Sequence, residues 1–239
     1  MPDISPIALA AIIMFFATLI QAIVGFGSGL IAVPLIIPLL GMGSTQAIIA
    51  VTGLVTGMSM IWRYRSYMEF KHVWRIIIAS IVTIPFGVRI PDVVPRDAAL
   101  FVLGIIILAY VLYVASGLHM PHLHNRWGFL IGSIGGLLQG AFNTAGPPYV
   151  MFATSQRWPP FEFKGNIQTI FFVSGLFVVV AHWQRGVYTG EAIQSIAILI
   201  PARLLGLWIG GKMDRYIKPE PFRKVVLVML TLIGLNLIF

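Results

Sequence analysis

The chain has 239 residues, 58% hydrophobic and only 10% charged, with a mean hydropathy of +0.92. Soluble domains carry about 25% charged residues, so this composition excludes a water-soluble globular protein. The formal net charge of +8 comes without a basic run long enough to track phosphates, which argues against nucleic-acid binding, and the absence of cysteine excludes disulfides and thiolate chemistry.

Read in chain order, the apolar runs predict ten helical segments. They are about 6–24, 29–40, 45–62, 73–90 and 97–116, then 128–143, 147–157, 165–183, 190–211 and 222–239. Apolar runs of about 18 residues or more span a bilayer, and such runs recur from end to end. The fold class is therefore an all-α polytopic membrane protein. No cleavable leader is expected: the N-terminus lacks a basic stretch, and its first apolar run continues straight into a glycine motif. The polar linker 117–127 separates two transmembrane repeats, 1–116 and 128–239. A shift of 118 positions brings Gln21 onto Gln139, Val55 onto Val173 and Gly57 onto Gly175.

Charge tests the topology. If the short segments 29–40 and 147–157 behave as crossings, one side carries Arg63, Arg65, Lys71, Arg75, Arg126, Arg157, Lys164, Lys212, Arg215, Lys218, Arg223 and Lys224. Only Arg89, Arg96 and Arg185 then lie opposite. If the short segments merely dip in and return, the eight-span chain mixes the cations. The positive-inside rule favours ten segments. Five segments per half make the repeats inverted, with both termini outside. Segment 29–40 is only about 18 Å long at 1.5 Å per residue, too short for a hydrocarbon core of about 30 Å. Broken helices meeting at the midplane are expected.

The two breaks carry the chemistry. Gln21-Ala-Ile-Val-Gly25-Phe26-Gly27-Ser28-Gly29 interrupts the first run, and Gln139-Gly140-Ala-Phe-Asn143-Thr144-Ala-Gly146-Pro147-Pro148 interrupts the sixth. Non-helical backbone at membrane depth survives only where protein surrounds it or it lines a wet cavity. Paired breaks in corresponding halves mark a transporter's binding site. A helix restarting after each break offers unpaired N–H groups and the positive end of its dipole, which suits an anion. Ser28, Asn143 and Thr144 add hydrogen-bond donors. Kinks that serve packing alone are the competing reading. Gln21 and Gln139, one turn before each break, either brace the broken backbone or touch the ligand.

Other residues weigh less. Gly128, Gly132, Gly136 and Gly140 form a smooth stripe for close helix packing. Arg203 sits far from other charges within a membrane segment and is a candidate anion ligand, with snorkelling to the interface as the alternative. All carboxylates fall in loops or at helix ends. His119, His122 and His124 share the linker without an acid and read as a surface loop rather than a metal site. His182 reads as interfacial.

The run Gly25-Phe-Gly27-Ser28-Gly29-Leu-Ile-Ala-Val-Pro34, followed by Gly140-Ala-Phe-Asn143-Thr-Ala-Gly146-Pro147-Pro148, resembles the sulfite exporter TauE/SafE family across nearly the whole chain. The resemblance implies a multi-pass carrier of the bacterial inner membrane. Its substrates would be sulfite, sulfoacetate or other organosulfonates, generally exported. Asn143 and Thr144 depart from a glycine-richer second motif, which bears on substrate choice.

The expected function is alternating access for a small sulfur-containing anion, with a lipid bilayer as surroundings and no cofactor, metal or nucleic acid. The expected site comprises Gln21, Gly25, Phe26, Gly27, Ser28, Gly29, Gln139, Asn143, Thr144, Gly146, Pro147 and Arg203. The coupling ion, with a proton as one candidate, and the oligomeric state stay open. An anion channel, or an uptake permease for a different organic anion, is the alternative. Polar groups confined to the breaks argue against a pore. A serine hydrolase at Ser28 lacks a central base to activate the hydroxyl, so no enzyme is expected.

Overall fold

A computed structural model describes residues 5–118, 120–214, 216 and 219–239, the side chains of 219–223 excepted. Among them every regular element is helical: α1 (Pro6–Val24), α2 (Ser28–Leu40), α3 (Met42–Tyr64), α4 (Phe70–Gly87), α5 (Ile90–Val93), α6 (Arg96–Ala115), α7 (Trp127–Phe142), α8 (Gly146–Ser155), α9 (Pro160–Gln184), α10 (Gly190–Met213) and α11 (Pro219–Ile238). A single 3₁₀ turn, Arg65–Tyr67, follows α3. Among the described residues six helical stretches are long and apolar enough to cross a membrane, while α2, α7 and Lys224–Ile238 of α11 are shorter apolar stretches.

Burial is arranged for lipid rather than water. Large apolar side chains such as Ile12, Phe16, Val82, Leu112, Val180 and Leu232 face outward. Thr52, Ser80, Asn166, Gln168 and Arg203 are buried. An apolar exterior costs nothing in hydrocarbon, whereas polar groups at that depth must find partners inside the protein.

Helix pairing follows from the small residues. α7 lies along α4 and α10 lies along α1. The glycine stripe on α7 faces α4 at backbone contact: a Cβ on Gly132 would collide with the Ile76 carbonyl, and one on Gly140 would stand 2.7 Å from the Ile84 carbonyl. On α10, a Cβ at Gly210 would come within 2.6 Å of the Leu19 carbonyl of α1. α3 packs on α9, and α6 on α11, where Gly104 and Gly234 permit close approach. Exchanging the first five long helices for the second five leaves this set of pairings unchanged.

The connecting loops gather at two ends of the bundle. At one end Arg63 donates to the Gly211 carbonyl (3.3 Å), Lys164 pairs with Asp214 (2.9 Å), His72 with Glu162 (3.2 Å), and Gln156 donates to the Leu123 carbonyl (2.7 Å). At the other, Arg185 pairs with Asp92, and Gly43 lies beside Val187. Asp3, His119, Arg215 and Lys218 lie outside the described residues. His122 contacts the Ser155 carbonyl at 3.3 Å, so the linker lies against the end of α8.

One local boundary changes. α9 starts at Pro160 rather than near 165, because a proline at the first helical position loses no intrahelical hydrogen bond. His182 lies in the last turn of α9 with its imidazole fully buried in the protein, beside Arg185 Nη1 at 3.4 Å. Its neighbour Trp183 takes the exposed face one position on.

Candidate functional site

Each break is closed by its own glutamine's backbone. The Gly25 N–H donates to the Gln21 carbonyl at 2.7 Å, and the Asn143 N–H donates to the Gln139 carbonyl at 2.9 Å. The chain then reverses through left-handed backbone: Gly25 at φ 97° and Gly27 at φ 104° in the first half, Asn143 at φ 53° in the second. Glycine takes these angles freely, and asparagine is one of the few other residues that tolerates them.

The two breaks touch. A Cβ on Gly29 would collide with the Asn143 carbonyl, and one on Gly146 would stand 3.3 Å from the Phe26 ring. Only a residue without a side chain lets the first turn of α2 sit against the second break. A cavity of about 70 Å³, lined by both polar and apolar groups, lies where they meet, several times the about 10–15 Å³ that a water needs. Gln21, Gly27, Ser28, Gly29, Gln139, Asn143, Thr144, Gly146 and Arg203 all line it. Gly25, Phe26 and Pro147 do not. Gly25 is covered by Lys164 and accepts from Gln168, Phe26 faces a neighbouring chamber, and Pro147 lies within the first turn of α8.

Arg203 is the dominant electrostatic feature. It is 2% exposed on α10. Its Nε donates to Thr56 Oγ1 (2.6 Å), and Nη1 to Thr52 Oγ1 (2.9 Å) and Met14 Sδ (3.3 Å). Its Nη2 donates to Ser28 Oγ (3.0 Å) and Gln21 Oε1 (3.4 Å). A guanidinium has five N–H donors, and here every acceptor is neutral. Among the described residues no carboxylate pairs with it, since all four ion pairs lie elsewhere. Among the described residues it is the only charged side chain in the cavity wall.

The restarted helices are unequal donors. In α2 the first hydrogen bond from a new turn is Ile31 N–H to the Gly27 carbonyl (3.3 Å), which leaves the N–H groups of Ser28, Gly29 and Leu30 without helical partners. In α8 the prolines at 147 and 148 carry no N–H, so only Gly146 offers one. The glutamines do two things at once. Gln21 turns its oxygen to Arg203, and Gln139 turns its oxygen to the Ala145 N–H (3.3 Å), which leaves each amide nitrogen available. Thr144 Oγ1 is buried without a partner.

Four further residues build the site, and the sequence reading does not single them out. Gln46 on α3 donates to the Ala141 carbonyl (2.5 Å) just before the second break, and Asn143 Nδ2 donates back to the Gln46 carbonyl (3.2 Å). Gln168 on α9 donates to the Gly25 carbonyl (2.6 Å). Each break is thus braced by a helix of the opposite half. Thr52 and Thr56 carry the guanidinium. The available signal was polar residues at helical spacing inside apolar segments, where a buried side chain needs a partner.

Phe26 and Leu30 stand between this cavity and a larger chamber of about 590 Å³, which shares Gly27 and Leu30 with it. The chamber runs past Tyr110, Val114 and Leu230 to Gly117, Leu118 and Arg157, at the arginine-rich end of the bundle.

The sulfite exporter TauE/SafE family profile matches residues 10–237. A protein of Cupriavidus necator (strain ATCC 17699) described as a probable sulfite/organosulfonate exporter TauE is 26% identical over 232 residues, spanning 92% of this chain and 89% of that protein. No solved structure matches. A family match over nearly the whole length, on a helical bundle with two touching helix breaks, shows that the chain belongs to the sulfite exporter TauE/SafE family.

Proposed function

We propose that the protein carries a small sulfur-containing anion, such as sulfite, sulfoacetate or another organosulfonate, out of the cell by alternating access around the cavity between the two breaks. The observation that carries this reading is Arg203: a cation 2% exposed, bonded only to neutral groups, at the junction of two interrupted helices. An uncompensated buried charge is costly. A carrier recovers that cost by binding a ligand of opposite sign. The N–H groups of Ser28, Gly29 and Gly146, the amides of Gln21 and Gln139, and the hydroxyls of Ser28 and Thr144 supply donors around the same point.

The units are the repeats 1–116 and 128–239, inverted about the cavity and joined by the linker 117–127. Support comes from the pairing of α1 with α10 and α4 with α7, which persists when the halves are exchanged. The arginine-rich end faces the cytoplasm by the positive-inside rule, which puts both termini outside. The chamber beyond Phe26 then serves as the cytoplasmic vestibule, and Phe26 with Leu30 forms the partition that substrate passes. Membership of an exporter family and the name of the Cupriavidus relative support the direction and the substrate class.

The test is sulfite efflux from proteoliposomes. Saturable flux is expected from the wild type. The double variant Gly27→Leu, Gly146→Leu fills the cavity from both breaks and abolishes flux. Undiminished flux in a folded double variant refutes the site.

A further inference from the structure

We infer that the chamber beyond Phe26 holds the organic group of a sulfonate whose charged head lies in the cavity, so that affinity rises with the apolar length of that group. The inference rests on the anion site proposed above and assigns the part of the substrate that the cavity leaves over.

Size comes first. At about 10–15 Å³ per water, a cavity of about 70 Å³ holds about five heavy atoms: a sulfur, its three oxygens and one carbon. A longer organic group has to leave it, and one way out is open. At Gly146 a Cβ would stand 3.3 Å from the Phe26 ring and 3.5 Å from Leu30 Cδ1, so the partition is packed there. At Gly27 a Cβ would meet nothing within 4 Å, and this residue is half-exposed although it sits in the break. Gly27 borders both the cavity and the chamber. Its φ of 104° favours glycine, which keeps the aperture clear.

What lies beyond the aperture suits hydrocarbon. The chamber of about 590 Å³ is walled by the buried side chains of Phe26, Leu30, Ile31, Tyr110, Val150 and Leu230. Arg157, the one charged residue of its lining among those described, is exposed at the arginine-rich end. A sulfonate that enters from that end with its head toward Arg203 trails its organic group past Gly27 into the chamber. Apolar surface gains by leaving water for such a wall. Sulfite fills the cavity alone, and sulfoacetate leaves its carboxylate to water at the chamber. Both bind by the same head contacts, and the chamber adds a ranking among organosulfonates.

The experiment is calorimetric binding to the protein in nanodiscs at neutral pH, with empty nanodiscs subtracted. The ligands are methanesulfonate, propanesulfonate and 3-hydroxypropanesulfonate, monoanions with the same head. Propanesulfonate is expected to bind about tenfold more tightly than methanesulfonate, because two methylenes at about 0.8 kcal/mol each exceed the about 1.4 kcal/mol of one decade. The terminal hydroxyl of 3-hydroxypropanesulfonate should forfeit about fivefold of that gain. In the double variant Ile31→Trp, Leu230→Trp, which narrows the chamber from α2 and α11, the ratio of propanesulfonate to methanesulfonate affinity should fall toward unity. If that variant does not fold, the hydroxylated ligand decides in the wild type, and affinity equal to that of propanesulfonate overturns the inference. Equal binding of methanesulfonate and propanesulfonate, or a ratio unchanged in the double variant, also overturns it and leaves the anion site standing. Failure of all three sulfonates and of sulfite to bind overturns the site itself, and this inference with it.

Discussion

Replacing Arg203 with methionine separates a binding role from a structural one. Methionine has similar reach and no charge. In the protein without ligand, the change removes a buried cation whose desolvation costs several kcal/mol. The acceptors it strands are few. Thr52 still donates to the Ile48 carbonyl (2.6 Å) and Thr56 to the Thr52 carbonyl (3.3 Å), so both threonines keep a partner. Besides the Met14 sulfur, a weak acceptor, only Gln21 Oε1 and Ser28 Oγ lose theirs, at about 1–3 kcal/mol each if left dry, and both border a cavity that admits water. The terms nearly offset, so thermal stability in detergent should stay within a few degrees of wild type. Ligand binding should collapse. A unit-charge pair about 4 Å apart at an effective dielectric of about 20 contributes about 4 kcal/mol, equivalent to nearly three orders of magnitude in affinity at about 1.4 kcal/mol per decade. Intrinsic tryptophan fluorescence during heating, with and without sulfite, reads both effects. A variant that melts far below wild type in the absence of ligand would make Arg203 a structural brace. A well-folded variant that binds sulfite normally would refute the electrostatic argument.

The other predictions concern the walls of the site and its support. Gly29→Ala drives a methyl into the Asn143 carbonyl and should destabilise by at least about 3 kcal/mol; Gly27→Ala, with open space but φ 104°, should cost only about 1–3 kcal/mol of backbone strain, and thermal melts of the two variants should rank accordingly. Phe26→Ala opens the partition between cavity and chamber and should raise initial efflux by about fivefold, the effect of about 1 kcal/mol off a barrier, whereas Phe26→Trp should slow it; equal rates would remove Phe26 from the pathway. Gly132→Leu sets a large side chain against the Ile76 carbonyl at the α4–α7 contact and should abolish folded yield, measured by size-exclusion chromatography.

Most of the helical plan could be read from residue order, because lipid imposes long apolar runs and the breaks between them are glycine, proline and charge. The first helix ends at Val24 as expected, and α2 and α8 start within a residue of their expected positions. The two break motifs were legible for the same reason: few sequences place Gly-Phe-Gly-Ser-Gly or Asn-Thr-Ala-Gly-Pro-Pro inside an apolar run. Contacts between distant segments were not legible. Gln46 and Gln168 look like ordinary interior polar residues until the fold sets each against a broken helix 95 and 143 positions away. The convergence of Thr52, Thr56, Met14 and Arg203 likewise needs α1, α3 and α10 assembled. His182 shows the opposite limit: proximity to a helix end says nothing of which way the side chain turns, and helix rotation places Trp183 outward and the imidazole inward.

The most direct test is crystallographic localisation of selenite, the heavier analogue of sulfite, by anomalous scattering from selenium. The account predicts a peak in the cavity between Ser28, Thr144 and Gly146, beside the Arg203 guanidinium, that disappears in Arg203→Met crystals. Selenium bound elsewhere in the bundle, with that cavity empty, would contradict it.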